Sequence, residues 1–157
     1  MIEKEIKIPF IEYYSLDELI PEDRELADEA IAAMGSAYAP YSHFHVGAAV
    51  RMSNGQIVRG ANQENAAFPS GLCAERTAMF AASAKYPDKS MRSIALAGGV
   101  HGRLTSQPVT PCGACRQVMA QYQEKAGQPV SVIMIGKSRI WKFDRIDDIL
   151  PFIFDSI

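Results

Sequence analysis

The chain has 157 residues, of which 48% are hydrophobic, and a formal net charge of −2 from 16 basic and 18 acidic side chains. That length and apolar content suit a single domain with one substantial core, and the scattered basic residues disfavour the electropositive groove that binding a polynucleotide demands. No stretch is apolar and long enough to span a bilayer, and the acidic opening MIEKEIK lacks the basic end and hydrophobic middle of a secretion signal, so the cytoplasm is the expected location.

Residues 1–22 mix charges and aromatics without firm periodicity and read as an extension lying across the surface of a domain over 23–157. Within the extension, Ser15-Leu-Asp-Glu18 fits the cap of a short turn. From Asp23, the apolar residues Leu26, Ala30, Ala33 and Met34 recur at helical spacing, and the helix must stop before Pro40. Phe44 to Met52 reads as a strand, Asn54-Gly55 as a tight hairpin turn and Gln56 to Ala61 as the return strand. Ala74 to Tyr86 (AERTAMFAASAKY) is Ala-rich without internal Gly or Pro and predicts a helix. A second, Ala114 to Lys125, ends before Gly127 and Pro129. Ser93 to Ala97 and Val130 to Ile135 are short buried strands, and Trp141 to Ile157 adds an edge strand and a last helical turn. The order predicts a single-domain α/β fold in three layers, with a mixed sheet of about five strands flanked by helices. Two crossovers of one hand between neighbouring parallel strands would put both later helices on one side of the sheet, N-termini at the same edge.

The three cysteines are all accounted for by Cys73-Ala-Glu75 and Pro111-Cys112-Gly-Ala-Cys115. Cys-x-x-Cys alone fits a redox dithiol or half of a structural zinc ribbon as well as a catalytic site. A ribbon wants a second pair, which the chain lacks, and an odd count points to reduced thiols rather than disulfides. A structural zinc closes its tetrahedron with four protein ligands, whereas a catalytic one keeps three and leaves a position for water. Cys73, Cys112 and Cys115 as ligands, with Glu75 placed to shuttle protons, form such a hydrolytic layout. Both halves of the motif open helices, where free N–H groups and the positive dipole end favour thiolate. Residues two apart on a helix do not face each other, so Cys73 and Glu75 converge only if the metal lies off a helix tip. Three thiolates on a divalent ion leave one negative charge, and Arg76 and Arg116, three and four residues after a cysteine, are candidates to hydrogen-bond sulfur behind the ligands. His43 and His45 would share a strand face, with no third ligand evident beside them.

Four blocks carry a wider likeness: Tyr41-Ser-His-Phe44-His-Val-Gly47, Asn62-Gln-Glu64-Asn65, Cys73-Ala-Glu75-Arg76-Thr-Ala and Pro111-Cys112-Gly-Ala-Cys115-Arg-Gln-Val. In their order and approximate spacing the chain resembles the small, homotetrameric, three-cysteine cytidine deaminases from about Asp23 to Phe154. The resemblance implies zinc-dependent hydrolytic deamination of cytidine and 2′-deoxycytidine to the uridines with release of ammonia, a step of pyrimidine salvage by a zinc hydrolase acting on cyclic amidines. It implies a nucleoside substrate, no nucleic-acid or membrane partner, and a homotetramer. Phe44, by default a core aromatic, is then the ring that packs on the pyrimidine face. Asn62 and Glu64, otherwise an ordinary polar loop, hydrogen-bond the ribose 3′-hydroxyl, and a carboxylate there disfavours a 3′-phosphate. Ala74 contacts the base through its backbone N–H, and Phe154 is the C-terminal aromatic inserted near a neighbouring subunit's site. Phe68 departs from the pattern, since many relatives carry Tyr there. The competing readings are a deaminase of another aminopyrimidine nucleoside, such as the related blasticidin S deaminases, a noncatalytic zinc-stabilised module, and a polynucleotide editor.

Overall fold

Gly55 closes the expected hairpin with φ 82°, a backbone conformation that only a residue without Cβ adopts freely. On either side of it lie strands β2 (Phe44–Met52) and β3 (Ile57–Ala61). Before them runs helix α1 (Pro21–Ala33), which starts two residues earlier than the periodicity predicts. Pro21 at its first position has φ already set, and Glu22 and Asp23 in the first turn complement the positive dipole end. Helix α2 (Ala74–Lys85) leads into β4 (Met91–Val100), twice the expected length at ten residues. Helix α3 (Gly113–Ala126) ends where Gly127 turns left-handed, φ 62°, and donates its N–H to the carbonyls of Gln123 and Glu124. Strands β5 (Ser131–Ile135) and β6 (Ile140–Phe143) complete the succession. The computed structural model describes residues 1–155; Ser156 and Ile157, the end of the segment expected to close with a helical turn, lie outside the described residues. That turn is a 3-10 turn over Ile146–Asp148.

The sheet has six strands rather than about five, because the N-terminal extension supplies one: β1 (Ile11–Tyr13) pairs antiparallel with β6, placing Ile11 opposite Lys142 and Tyr13 opposite Ile140. At three residues, Ile-Glu-Tyr, this strand is too short to show a period to a pattern search, and cross-strand contacts secure it. Trp141 Nε1–H donates to Glu12 at 2.7 Å, Arg139 lies over the Tyr14 ring at 4.5 Å, and Phe10 stacks on Phe143 with centroids 5.2 Å apart. β6 is therefore an interior strand, not the edge. Ser15 makes no capping bond at the 3-10 turn over Leu16–Glu18; the Glu18 carboxylate instead accepts the Tyr14 N–H at 2.9 Å.

The strand order is β1-β6-β5-β4-β2-β3. β2 runs antiparallel to both β3 and β4, while β4 and β5 are parallel. Only the α3 crossover joins neighbouring parallel strands; α2 links β3 to β4 across the intervening β2, which corrects the expectation of two equivalent crossovers. Because β3 and β4 nonetheless run the same way, both helices that follow them start at one edge of the sheet.

Alternation along the strands sorts the core into two layers. Val50, Ile94, Leu96, Val132 and Met134 pack with Ala78, Met79 and Met119 of α2 and α3. Ala49, Ala95, Ile133 and Ile135 face Leu26, Ala27 and Ala30 of α1 on the opposite side. Two glycines set how closely the layers approach: a Cβ on Gly60 would lie 2.3 Å from the Ala78 backbone nitrogen of α2, and one on Gly47 would lie 2.2 Å from the Ala30 carbonyl of α1. Among the described residues no helix is long and apolar enough to cross a membrane.

Candidate metal centre and substrate cleft

Cys73 is the N-cap of α2 and Cys112 the N-cap of α3, and neither side chain makes a capping hydrogen bond. Serine or aspartate at these positions would spend an oxygen on the backbone; cysteine leaves the sulfur directed at the space between the two helix tips. Cys115 lies one turn into α3 and is buried, Cys73 is partly buried and Cys112 exposed. The three sulfurs lie within 4.8 Å of one another, with Cys73–Cys112 at 3.8 Å and Cys112–Cys115 at 3.5 Å. A tetrahedral zinc with bonds of about 2.3 Å to sulfur holds its ligands about 3.8 Å apart, so the donor type and the spacing both fit that ion.

The electrostatics of the cluster favour a cation. The Cys115 thiol beside it, aided by the Arg76 guanidinium and Cys112, holds Cys73 down to about 5 against the opposing effect of burial. Cys115 shifts strongly the other way, because its S–H donates a hydrogen bond to Cys73, it is buried, and it faces the negative charges of Glu75 and Cys73. Two thiolates therefore resist sharing this space, and a divalent metal is the partner that resolves the conflict. Arg76 Nη2 stands 3.8 Å from Cys73 Sγ and keeps its own charge firmly, chiefly through that contact. Arg116 lies elsewhere. Its Nε donates to the Pro111 carbonyl at 2.9 Å and its Nη1 to the Ile149 carbonyl at 3.1 Å, so it ties the cysteine loop to the C-terminal segment and does not reach sulfur.

Glu75 occupies the second position of α2 and is only 4% exposed. Burial pushes its carboxyl above the usual range, and the negative Cys73 adds to the shift. Glu75 therefore sits at the tip of α2 close enough to the sulfurs for Cys73 and Cys115 to act on its carboxyl.

An open cleft of about 570 Å³ runs from Tyr41 and Phe68 down to Cys73 and Arg76, with Asn62 and Glu64 along its wall. Asn62 follows the end of β3. Its Oδ1 accepts the Val46 N–H and its Nδ2 donates to the Phe44 carbonyl, both at 2.8 Å, so the side chain pairs with β2 as an extra strand residue would. Glu64 accepts the N–H groups of Tyr41 and Ser42 at 2.9 and 3.3 Å and the Ser42 hydroxyl. The Ser42 hydroxyl and then the Tyr41 N–H hold its carboxyl below the usual range.

Three other expected contact residues lie off this wall. Phe44 opens β2, half-buried, joined to the wall through Asn62 and Ser42 rather than lining it. Ala74 is fully buried at the first position of α2. Phe154 is 80% exposed, its backbone held by the Gln117 amide at 2.6 Å and 3.2 Å. Phe68 is 78% exposed and meets Tyr41 edge-on at 6.2 Å. His43 precedes the strand in left-handed backbone, φ 55°, and stacks on His101 at 5.4 Å, so it shares no strand face with His45. Ser42 and Gln117 escape sequence reasoning. A serine two residues before a strand reads as turn filler, and a helix glutamine as surface.

The family model for the cytidine and deoxycytidylate deaminase zinc-binding region matches residues 20–128. A cytidine deaminase of Halalkalibacterium halodurans is 50% identical over 100 residues, 63% of this chain and 71% of that protein. One from Mycoplasma genitalium is 32% identical over 114 residues, 73% of this chain and 81% of its own. Among solved structures, a cytidine deaminase from Burkholderia pseudomallei superposes with a TM-score of 0.67 at 38% identity, covering 83% of this chain and 97% of that one. The Mycobacterium tuberculosis enzyme gives 0.66 at 32% identity over 84% and 96%.

Proposed function

Since the chain belongs to the cytidine and deoxycytidylate deaminase family, we propose that it hydrolyses the exocyclic amine of cytidine and 2′-deoxycytidine, consuming water and giving the uridine and ammonia. The observation that carries this reading is the placing of three cysteine sulfurs and one buried carboxylate at the tips of two helices, at the foot of an open cleft. Cys73, Cys112 and Cys115 would hold the zinc, which when bound supplies Lewis acidity toward water.

Glu75 takes the proton from the attacking water, passes it to N3 of the pyrimidine and then carries a proton to the departing amine at C4. Burial suits it to this double service, because it raises the carboxyl's affinity for protons above that of an exposed carboxylate, so that Glu75 accepts one more readily and still returns it. Arg76 offsets the charge of the three thiolates through Cys73. Phe44 packs on the base, and the N–H of Ala74 meets its edge. Asn62 has one Nδ2 hydrogen left after its bond to Phe44, and Glu64 keeps an acceptor site; together they fit a ribose 3′-hydroxyl that both accepts and donates.

Exposed Phe68 and Phe154 support a homotetramer in which neighbouring copies cover them, Phe154 reaching toward an adjacent site. In this reading 23–157 is the catalytic domain, 1–22 an extension, and the enzyme a cytoplasmic one of pyrimidine salvage. The test is ultraviolet-monitored deamination by zinc-loaded protein with cytidine, deoxycytidine, cytosine and CMP in parallel. Turnover of the first two that is lost in Glu75→Gln supports the assignment. Silence on both with zinc bound overturns it.

A further inference from the structure

Three donors converge on Glu64, and one of them does more than hold a carboxylate. The backbone N–H groups of Tyr41 and Ser42 both reach Oε2, whereas Oε1 has a single partner, the Ser42 hydroxyl. That hydroxyl in turn accepts the Phe44 N–H at 3.0 Å. Ser42 thus bridges two residues proposed for different ends of a nucleoside: Phe44, which opens β2 behind the cleft wall and would reach the base, and Glu64, in the wall itself, where the sugar would bind. The bridge is short and unbranched, and Ser42 is itself exposed, so the core does not need it for packing.

We infer that Ser42 is a positioning residue for sugar recognition, its hydroxyl fixing the Glu64 carboxylate so that the one acceptor site left points at the 3′-hydroxyl of the substrate. The inference rests on the proposed contact between Glu64 and the ribose. A carboxylate offers roughly four acceptor sites, and three here are filled by groups of fixed direction. The remaining site is therefore aimed before substrate arrives, and a 3′-hydroxyl finds an acceptor that need not reorganise. Without the Ser42 hydroxyl, Oε1 is free to turn toward water, and the bonds to Oε2 hold only one end of the carboxylate. Discrimination then suffers more than catalysis, because the chemistry occurs at the helix tips, on other elements.

The experiment compares cytidine with 3′-deoxycytidine in the wild type, Ser42→Ala and Ser42→Thr, all as zinc-loaded enzyme. The wild type should prefer cytidine in kcat/KM. Ser42→Ala should raise KM for cytidine about tenfold with kcat within about twofold, and leave KM for 3′-deoxycytidine within about twofold, so that the preference shrinks about tenfold. Ser42→Thr, which keeps the hydroxyl, should restore the preference. Equal rises in KM for both substrates, a preference that survives in Ser42→Ala, or failure of Ser42→Thr to restore it would overturn the role of Ser42 while leaving the Glu64 contact standing. A wild type that turns over both substrates equally well would overturn the Glu64 contact and the Ser42 inference together.

Discussion

Replacing Gly60 with alanine tests whether the position of α2 controls the chemistry. Gly60 lies in β3 opposite Ala48, and its missing side chain is what lets α2 rest directly on the strand. An added Cβ would stand 2.3 Å from Ala78 N, 2.7 Å from Ala78 Cα and 2.8 Å from Ala74 O, all backbone atoms that no rotamer change can move, whereas ordinary contact begins at 3.4 Å. Helix and strand must therefore separate by about 1 Å, and a displacement of that size at a reacting group is enough for about a 100-fold loss of rate. Because α2 carries Cys73 and Glu75 while α3 carries Cys112 and Cys115, the shift changes the relation between the two halves of the site. Metal ligands tolerate only about 0.2 Å, so zinc should also be held more weakly. Overpacking of this kind lowers stability by about 1–3 kcal/mol. The assay is kcat under saturating zinc, zinc release to a chromophoric chelator, and the denaturant midpoint, with Gly35→Ala as the control because nothing lies within 4 Å of its added Cβ. A Gly60→Ala enzyme with kcat and zinc retention within about twofold of wild type would refute the reasoning.

Glu75→Gln should keep zinc and fold while losing about 10²–10⁴-fold in kcat, read by single-substrate kinetics alongside metal analysis. Chelation of the metal should abolish turnover and lower the melting temperature, with both recovering on added zinc, since the crowded sulfurs then lack the cation that reconciles them. The Glu64 carboxyl is held below its usual range, so the stability it contributes is complete above the unfolded-state value of about 4.3 and is lost as pH falls through the lower folded-state value. The gap in denaturant midpoint between wild type and Glu64→Gln should accordingly stay constant from about pH 7 to 5 and close only below about pH 4.3. Phe10→Ala removes the stack on Phe143 and the edge contact with Trp141 at 5.8 Å. It should cost about 1–3 kcal/mol in urea denaturation with kcat unchanged.

How far the sequence could be read depended on whether the deciding interaction was local. The Asn54-Gly55 turn, the run Phe44–Met52 and the two cysteine-headed helices are each specified by residues close in the chain, and they appear where the patterns put them. β1 was not legible, because Ile11–Tyr13 is only three residues long, too short to show a period, and is held by Trp141, Arg139 and Phe143 from the far end of the chain. The path of α2 over β2 was missed for a related reason: a crossover predicts hand, not how many strands it passes. Within the site, spacing places Cys73, Cys112 and Cys115 at helix starts, but the same spacing suggested sulfur as the partner of Arg116, whose actual partners are carbonyls in other segments. Donors that act on distant backbone, such as Gln117 on Phe154, leave no periodic mark.

The placement of the site follows from strand direction. β3 and β4 run parallel to each other, so their C-terminal ends lie at one edge of the sheet, and the chain must turn there each time to begin the next helix. The turn after β3 delivers Asn62, Glu64 and then Cys73; the turn after β4 delivers Cys112 and Cys115. Two helix N-termini, each with a positive dipole end and unpaired N–H groups, are thereby brought side by side where anionic sulfur is easiest to hold. Gly60 brings α2 down onto the sheet, and the Asn62 amide locks the end of β3 to the start of β2, so the wall of the cleft and the metal cluster share one rigid base. Changes at position 60 or 62 should thus disturb the metal cluster and the cleft wall together, since these two residues join the elements that carry the chemistry to the strand behind the cleft.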